Sequence, residues 1–172
     1  VHDLGSGHRG PEVEDDVRYL FGDDSVSVGR LRLDPETRFV PNVVVTAQGE
    51  TRLDNASATL RTDTTVILQD TLRWEGGTMA GGGTVRAESG FEWTGGAGSA
   101  SNVKTMDGIR LVLPTGETGR YPGAIMSGKN GAILEIESGS VFDVQDASDL
   151  SVSSGTTATA ATVVNRGTFK KT

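Results

Sequence analysis

The sequence has no cysteine among its 172 residues, which excludes disulfides, thiolate metal sites and thiol catalysis. Aromatic residues make up only 5% of the chain and hydrophobic residues 35%, which is little material for a large globular core. No apolar run approaches the roughly 18 residues that a membrane-spanning helix needs, so we expect no insertion into a membrane. Both histidines, His2 and His8, lie near the N-terminus, which argues against a Ser-His-Asp hydrolase and a histidine metal site.

Positive charge is also scarce. The chain has 16 Lys and Arg against 23 Asp and Glu, which gives a formal net charge of −7. A negative protein without a basic cluster repels the phosphates of nucleic acids and of anionic lipids. We therefore expect neither nucleic acid nor an anionic membrane surface among the partners of this protein.

Glycine, by contrast, is abundant, with 24 residues, and short alternating apolar patterns follow one another along the chain. Val26 and Val28 are followed by Leu31 and Leu33, with turn residues between the two pairs. Alternation with a period of two is typical of half-buried β-strands. The pattern predicts a thin core built from many short strands.

The stretch 71–96 contains an internal repeat in which Trp93 follows Trp74 after 19 residues (93 − 74). The repeated unit is a hydrophobe, a tryptophan and a glycine pair: Leu72, Trp74, Gly76 and Gly77, then Phe91, Trp93, Gly95 and Gly96. Strands this short cannot fold alone, but stacked coils bury their side chains on each other, and glycine suits the sharp corners. We predict that residues 25–172 form a β-solenoid, with an antiparallel β-sandwich as the alternative.

Three segments fall outside the regular pattern. Residues 1–24 are expected to be a flexible leader followed by a helical or turn-like cap, because Val13, Val17 and Leu20 share one helical face. This segment would cover the end of the stack or dock on another chain. The polar stretches 97–108 and 114–123 interrupt the repeat, so we expect them to project from the stack as loops.

Two strings carry a family resemblance: Leu-Arg-Trp-Glu-Gly-Gly-Thr-Met-Ala-Gly-Gly-Gly-Thr-Val from Leu72, and Val-Asn-Arg-Gly-Thr-Phe from Val164. They resemble the degenerate repeats of secreted bacterial parallel β-helix proteins, such as autotransporter passengers and filamentous-haemagglutinin-like adhesins, over residues 43–172. The resemblance implies a right-handed parallel β-helix that is secreted or displayed on the bacterial cell surface. Because the pattern runs to Thr172 without closing, we expect a piece of a longer protein, with a structural or adhesive and non-enzymatic role.

The alternative function is a carbohydrate-active β-helix that binds or cleaves an extracellular polysaccharide with a pair of acids. The pairs to consider are Glu75 with Glu92, Glu135 with Glu137, and Asp143 with Asp146. The alternation places Glu92, Glu135 and Glu137 on the outer face of their strands, where solvated acids are ordinary. We therefore predict no catalytic residue, no metal site and no cofactor.

Four residues are candidates for ligand binding: Trp74, Trp93, Arg120 and Tyr121. The tryptophans could be outward platforms for sugar rings or members of an inward aromatic ladder, and their alternation with Arg73 and Glu92 favours the ladder. Arg120 and Tyr121 lie in the expected loop 114–123. The expected partners are a host or matrix glycan or protein, and other copies of the chain through the open ends of the solenoid.

Overall fold

The computed structural model describes the backbone of residues 18–20, 25–28, 31–32, 36–39 and 43–47, and side chains as well for residues 50–94, 103–123, 126–145 and 159–172. These residues form short β-strands and no helix. In chain order the strands are β1 (Arg18–Leu20), β2 (Ser25–Val28), β3 (Leu31–Arg32), β4 (Glu36–Phe39), β5 (Val43–Ala47), β6 (Glu50–Leu53), β7 (Thr59–Thr62), β8 (Thr65–Leu68), β9 (Thr71–Trp74), β10 (Gly77–Ala80), β11 (Thr84–Ala87), β12 (Phe91–Glu92), β13 (Lys104–Asp107), β14 (Arg110–Leu113), β15 (Thr118–Tyr121), β16 (Met126–Lys129), β17 (Ile133–Ile136), β18 (Val141–Val144), β19 (Thr162–Asn165) and β20 (Thr168–Lys171).

The strands build three parallel sheets that wrap around one core. Sheet A has the order β1-β4-β7-β10-β13-β16, sheet B the order β2-β5-β8-β11-β14-β17-β19, and sheet C the order β3-β6-β9-β12-β15-β18-β20. Each turn of the chain, here called a rung, contributes one strand to each sheet, and rungs are numbered from the N-terminus. The described residues give six complete rungs and a seventh made of β19 and β20. This is the predicted parallel β-solenoid, and the antiparallel sandwich is not favoured; the right-handed coiling stays a prediction.

The 19-residue repeat corresponds to one rung of the solenoid. Leu72 of β9 lies in register with Phe91 of β12, and Arg73 with Glu92. Most inward positions are occupied by apolar side chains, and those with 0% exposure include Leu53, Leu60, Val66, Leu68, Leu72, Val85, Leu111 and Leu113. Full burial of one such side chain stabilises the folded state by about 1.5–3 kcal/mol. Stacking of the rungs therefore supplies the stability that an isolated four-residue strand lacks.

An aromatic column runs through the core beside sheet C. The ring centroids of Trp74 and Trp93 lie 5.6 Å apart, edge to face, and those of Trp93 and Tyr121 lie 5.7 Å apart. Phe91 and Phe142 continue the column with centroids 5.7 Å apart. They lie on opposite sides of Gly119, which occupies the rung between them. Any Cβ at that position would lie 2.8 Å from both rings, so glycine there makes room for the phenylalanines.

Sharp corners join the sheets, and glycine occupies several of them as predicted. At the corner between sheets A and B, Gly81 has φ +109°, and a Cβ there would lie 2.1 Å from the carbonyl oxygen of Thr62 in the rung below. Gly77, with φ +88°, approaches the carbonyl oxygen of Ala58 as closely as 2.4 Å by the same measure. The predicted corner at Gly95 and Gly96 lies outside the described residues.

Both expected loops contain strands. Within 97–108, residues Lys104–Asp107 form β13 in sheet A, and within 114–123, residues Thr118–Tyr121 form β15 in sheet C. The loop prediction was therefore wrong for these residues. A strand of the solenoid needs only four residues in register with its neighbours. Backbone hydrogen bonds to the rungs on either side outweigh the polar composition of these two segments.

The expected cap also differs from the structure. Arg18–Leu20 form strand β1, which pairs in parallel with β4, rather than the last turn of a helix. Hydrogen bonding to an available strand edge overrides a helical pattern that rests on only a few apolar residues. The remaining residues of the expected leader and helix, 1–17, lie outside the described residues.

Candidate functional site: the charged outer faces of sheets B and C

The sequence-predicted aromatic residues lie inside the solenoid. Trp74, Trp93 and Tyr121 are each 0% exposed, and the indole Nε1 of Trp74 donates a hydrogen bond of 2.9 Å to the carbonyl oxygen of Gly76. None of the three presents a ring face at the surface. The structure therefore confirms the inward ladder that was favoured for Trp74 and Trp93, and it shows that Tyr121, a candidate for ligand binding, lies in the core as well.

Arg120 is the one member of the candidate set on the surface. It is exposed on the outer face of sheet C, in register with Glu92 on one side and Asp143 on the other. Within the described part of the chain its guanidinium has no ion pair, because Glu92 is bound by Arg73 and Asp143 by Lys170. Arg120 thus remains available to an anionic or hydroxylated partner.

The outer face of sheet C carries a continuous set of charges in its N-terminal half. Arg52 and Arg73 stand in register on neighbouring rungs, where like charges repel. Acids on both sides offset that repulsion. Arg52 contacts Glu75 at 3.3 Å and Arg73 contacts Glu92 at 3.1 Å, while Glu50 lies 3.3 Å from Arg52 and 3.5 Å from Arg73. The hydrogen bond to Glu92 raises the pKa of Arg73 despite its partial burial.

On sheet B a single ion pair spans three rungs. Arg86 of the fourth rung donates two hydrogen bonds, of 2.6 and 3.1 Å, to the carboxylate of Glu137 in the sixth. Val112 of the intervening rung points outward in register with Arg86, yet it is only 4% exposed. Glu137 also accepts hydrogen bonds from Thr115, so these donors, Arg86 first, lower its pKa. We call the Arg86–Glu137 pair the three-rung clamp.

Two further acids hold the seventh rung to the stack. Glu135, only 7% exposed, accepts hydrogen bonds from Arg110 of the fifth rung and Arg166 of the seventh. Asp143 lies 3.2 Å from the ammonium of Lys170 in β20. Burial of Asp143 opposes its ionisation, but hydrogen bonds from Gln145, Lys170 and Thr172 outweigh burial and lower its pKa. Both acids therefore connect rungs as hydrogen-bond acceptors.

The candidate acid pairs are therefore engaged with cations. Glu75, Glu92, Glu135, Glu137 and Asp143 each form an ion pair with an arginine or lysine, and Asp146 lies outside the described residues. A carboxylate oxygen that accepts hydrogen bonds from a guanidinium or an ammonium is occupied and is less available to contact a substrate. Among the residues that the structure describes, no three metal-ligating side chains come together. On these outer faces the ion pairs brace neighbouring rungs against each other.

Lys104 is a buried charge that sequence reasoning missed, because it lies in the expected loop 97–108. Its side chain is 0% exposed, and its ammonium donates a hydrogen bond of 3.2 Å to the carbonyl oxygen of Glu75. Burial lowers the pKa of Lys104 to about 8. Alternation counted back from the inward Met106 would have placed Lys104 inside, had residues 104–107 been recognised as a strand.

Comparisons with protein-family models, with curated proteins and with solved structures found no match. No helix of the described residues is long and apolar enough to span a membrane.

Proposed function

We propose that this chain is a non-enzymatic, structural or adhesive spacer segment of a larger secreted protein on a bacterial surface. The observation that carries the proposal is the three-rung clamp between Arg86 and Glu137, with an Nη1–Oε1 distance of 2.6 Å. An ion pair that reaches across an intervening rung resists bending of the stack at that rung. Together with the aromatic column inside, it supports a rod that holds its length.

The state of the acids also supports a role without catalysis. Every described member of the candidate acid pairs is bound by a cation, and Trp74 and Trp93 are fully buried. The resemblance of the repeats to secreted bacterial β-helix proteins supports placement at or beyond the cell surface. For an adhesive role, the exposed Arg120 on sheet C is the residue that we expect to contact a host or matrix glycan or protein.

The proposal is tested on an array of extracellular polysaccharides, followed by an absorbance assay for unsaturated sugar products. We expect no product from any polysaccharide. If binding is seen without product, Arg120→Ala should weaken it and Arg61→Ala, an exposed arginine on sheet A, should not. Product that is lost in Glu92→Gln but retained in Glu88→Gln would replace the spacer with the carbohydrate-active alternative.

A further inference from the structure

The corner that follows β16 in the sixth rung contains the only Asn-Gly pair of the sequence, Asn130 and Gly131. Lys129 lies in register with Asp107, so the residues that follow them, Asn130 and Gly108, occupy the same corner position in neighbouring rungs. Gly108 has φ +71°, and Asn130 has φ +55°, the only positive φ of a non-glycine residue in the described part of the chain. Asparagine tolerates this left-handed conformation, so the exposed Asn130 takes the place of a corner glycine.

An asparagine followed by glycine can lose its side-chain amide by cyclisation, because glycine has no side chain that hinders the approach. The backbone nitrogen of Gly131 bonds to Cγ of Asn130 and gives up its proton, while the bond from Cγ to Nδ2 breaks. The amide nitrogen leaves with that proton as ammonia, and a cyclic succinimide remains. Water then opens the ring at either carbonyl, which gives aspartate or isoaspartate. The reaction involves no oxidation or reduction and consumes only water.

The folded corner holds the reacting groups apart. The amide N–H of Gly131 donates a hydrogen bond of 3.1 Å to the carbonyl oxygen of Thr159, which leads into β19 of the seventh rung. The side-chain Nδ2 of Asn130 donates a hydrogen bond to Oδ1 of Asp107. In the left-handed conformation, with ψ about +47°, the nitrogen of Gly131 lies anti to Cβ of Asn130 and therefore away from Cγ. The attacking nitrogen, the leaving group and the backbone are all fixed in an unreactive arrangement.

We propose that Asn130 is a site of spontaneous deamidation gated by the solenoid, which reacts when the corner opens and not while the seventh rung is docked on it. Opening requires loss of the two hydrogen bonds, from Gly131 to Thr159 and from Asn130 to Asp107, and rotation of the backbone at Asn130. This is a local event that does not require global unfolding. A reaction of the open form follows its population, so the folded chain reacts more slowly than the unfolded chain by the ratio of closed to open corners.

The product does not fit the corner from which it forms. Deamidation of Asn130 replaces the NH2 donor by a carboxylate that faces the carboxylate of Asp107, and like charges repel. Lys129, with its ammonium 3.2 Å from Asp107, is then shared between two acids. Isoaspartate also inserts the Cβ into the main chain, which disturbs the register between β16 and the strands that follow. The modification is therefore one-way, because a corner that has reacted closes less firmly than before.

Peptide mass spectrometry of the full chain over time tests the gating, in buffer and in enough urea to unfold it, at the same pH and temperature. In urea we expect aspartate and isoaspartate to form faster at Asn130 than at Asn55, which is followed by Ala56 and serves as the control within the same chain. In buffer we expect the reaction at Asn130 to be about 100-fold slower or more than in urea. Equal rates in buffer and in urea would overturn the gating, and no reaction at Asn130 in urea would overturn the site itself.

Hydrogen exchange of the Gly131 amide measures the same opening independently. Its protection should match the slowing of deamidation within about threefold, because both need the loss of the hydrogen bond to Thr159. Asp107→Ala removes the acceptor of the Asn130 side chain and should speed both processes. Asp63→Ala, the matched control, removes an acid at the same corner two rungs earlier and should change neither. Fast deamidation beside a well-protected Gly131 amide would overturn the gating, because the closed corner would then react.

The one-way character is tested with a variant that reproduces one product. Asn130→Asp should raise the exchange rate of the Gly131 amide about threefold or more, through repulsion from Asp107. Adding Asp107→Asn to this variant again places one amide against one acid, so exchange should return to the rate of the natural chain. An unchanged exchange rate in Asn130→Asp would show that the product closes as well as asparagine does, and would overturn the one-way modification.

Discussion

Two neighbouring glycines at the corner between sheets A and B have very different surroundings. Gly81 has φ +109° and its Cβ position is 2.1 Å from the carbonyl oxygen of Thr62, whereas a Cβ on Gly82 would meet nothing within 4 Å. Alanine at Gly81 must therefore adopt an unfavourable backbone conformation and push the preceding rung away. We expect Gly81→Ala to lower the free energy of unfolding by about 2 kcal/mol or more, measured by urea denaturation.

Gly82→Ala is the matched control, one residue along the same corner. Its effect should stay within about 0.5 kcal/mol, the usual range for open surface positions. Equal destabilisation by both variants would mean that loss of chain flexibility, rather than the close approach of the rungs, explains the glycine at Gly81.

Lys104 should make the stability of the solenoid depend on pH. Burial lowers its pKa from 10.5 in the unfolded chain to about 8, so between these values the unfolded state binds more protons. The destabilisation is complete below pH 8, diminishes as the pH rises and is gone above about 10.5. The shift corresponds to about 3 kcal/mol at neutral pH.

Lys104→Met, which matches Met126 in the next rung, removes this cost together with one hydrogen bond to Glu75. We expect the variant to be about 1–2 kcal/mol more stable than the natural chain at pH 7, with the gain vanishing above about pH 10.5. Urea denaturation of both chains across this pH range measures the difference. Lys171→Met controls for the loss of an exposed lysine. If Lys104→Met gained the same stability at every pH, the cost could not come from the buried charge of Lys104.

At the scale of strands and rungs, the sequence predicts the parts that repeat and not the parts that vary. The spacing of Trp74 and Trp93 identified one rung, but the next step in sheet C, from Phe91 to Gly119, takes 28 residues (119 − 91). The corners between strands vary in length from rung to rung, whereas the four-residue strands keep their register. A search for a fixed period therefore recognises the short rungs and reads β13 and β15 as loops.

The positions of the charged side chains were likewise predictable within a strand but not between rungs. Alternation correctly placed the tryptophans inside and Glu92 outside, because parity within one strand is a local property. The three-rung clamp joins Arg86 to Glu137, 51 positions along the chain, through two rungs of unequal length. The sequence does not show how many residues each rung contains. Without those lengths, the contact between Arg86 and Glu137 could not be predicted.

At the scale of the whole molecule, parallel stacking sets a length that can be measured. Thr65 and Thr162 are both exposed on the outer face of sheet B, in one column that passes through Thr84, Arg110 and Ile133. Four steps of about 4.8 Å place their backbones about 19 Å apart. The chain has no cysteine, so Thr65→Cys and Thr162→Cys introduce only the two sites needed for spin labels.

Pulsed electron paramagnetic resonance on this labelled pair should give one narrow distance distribution centred near that separation, widened only by the label linkers. In urea the same pair should give a broad distribution at longer distance, which controls for label mobility. Arg86→Met removes the three-rung clamp between the labelled rungs and should widen the native distribution without moving its centre. A broad native distribution in the unaltered chain would contradict a rod of fixed length. It would thereby remove the physical basis for proposing that this chain is a spacer.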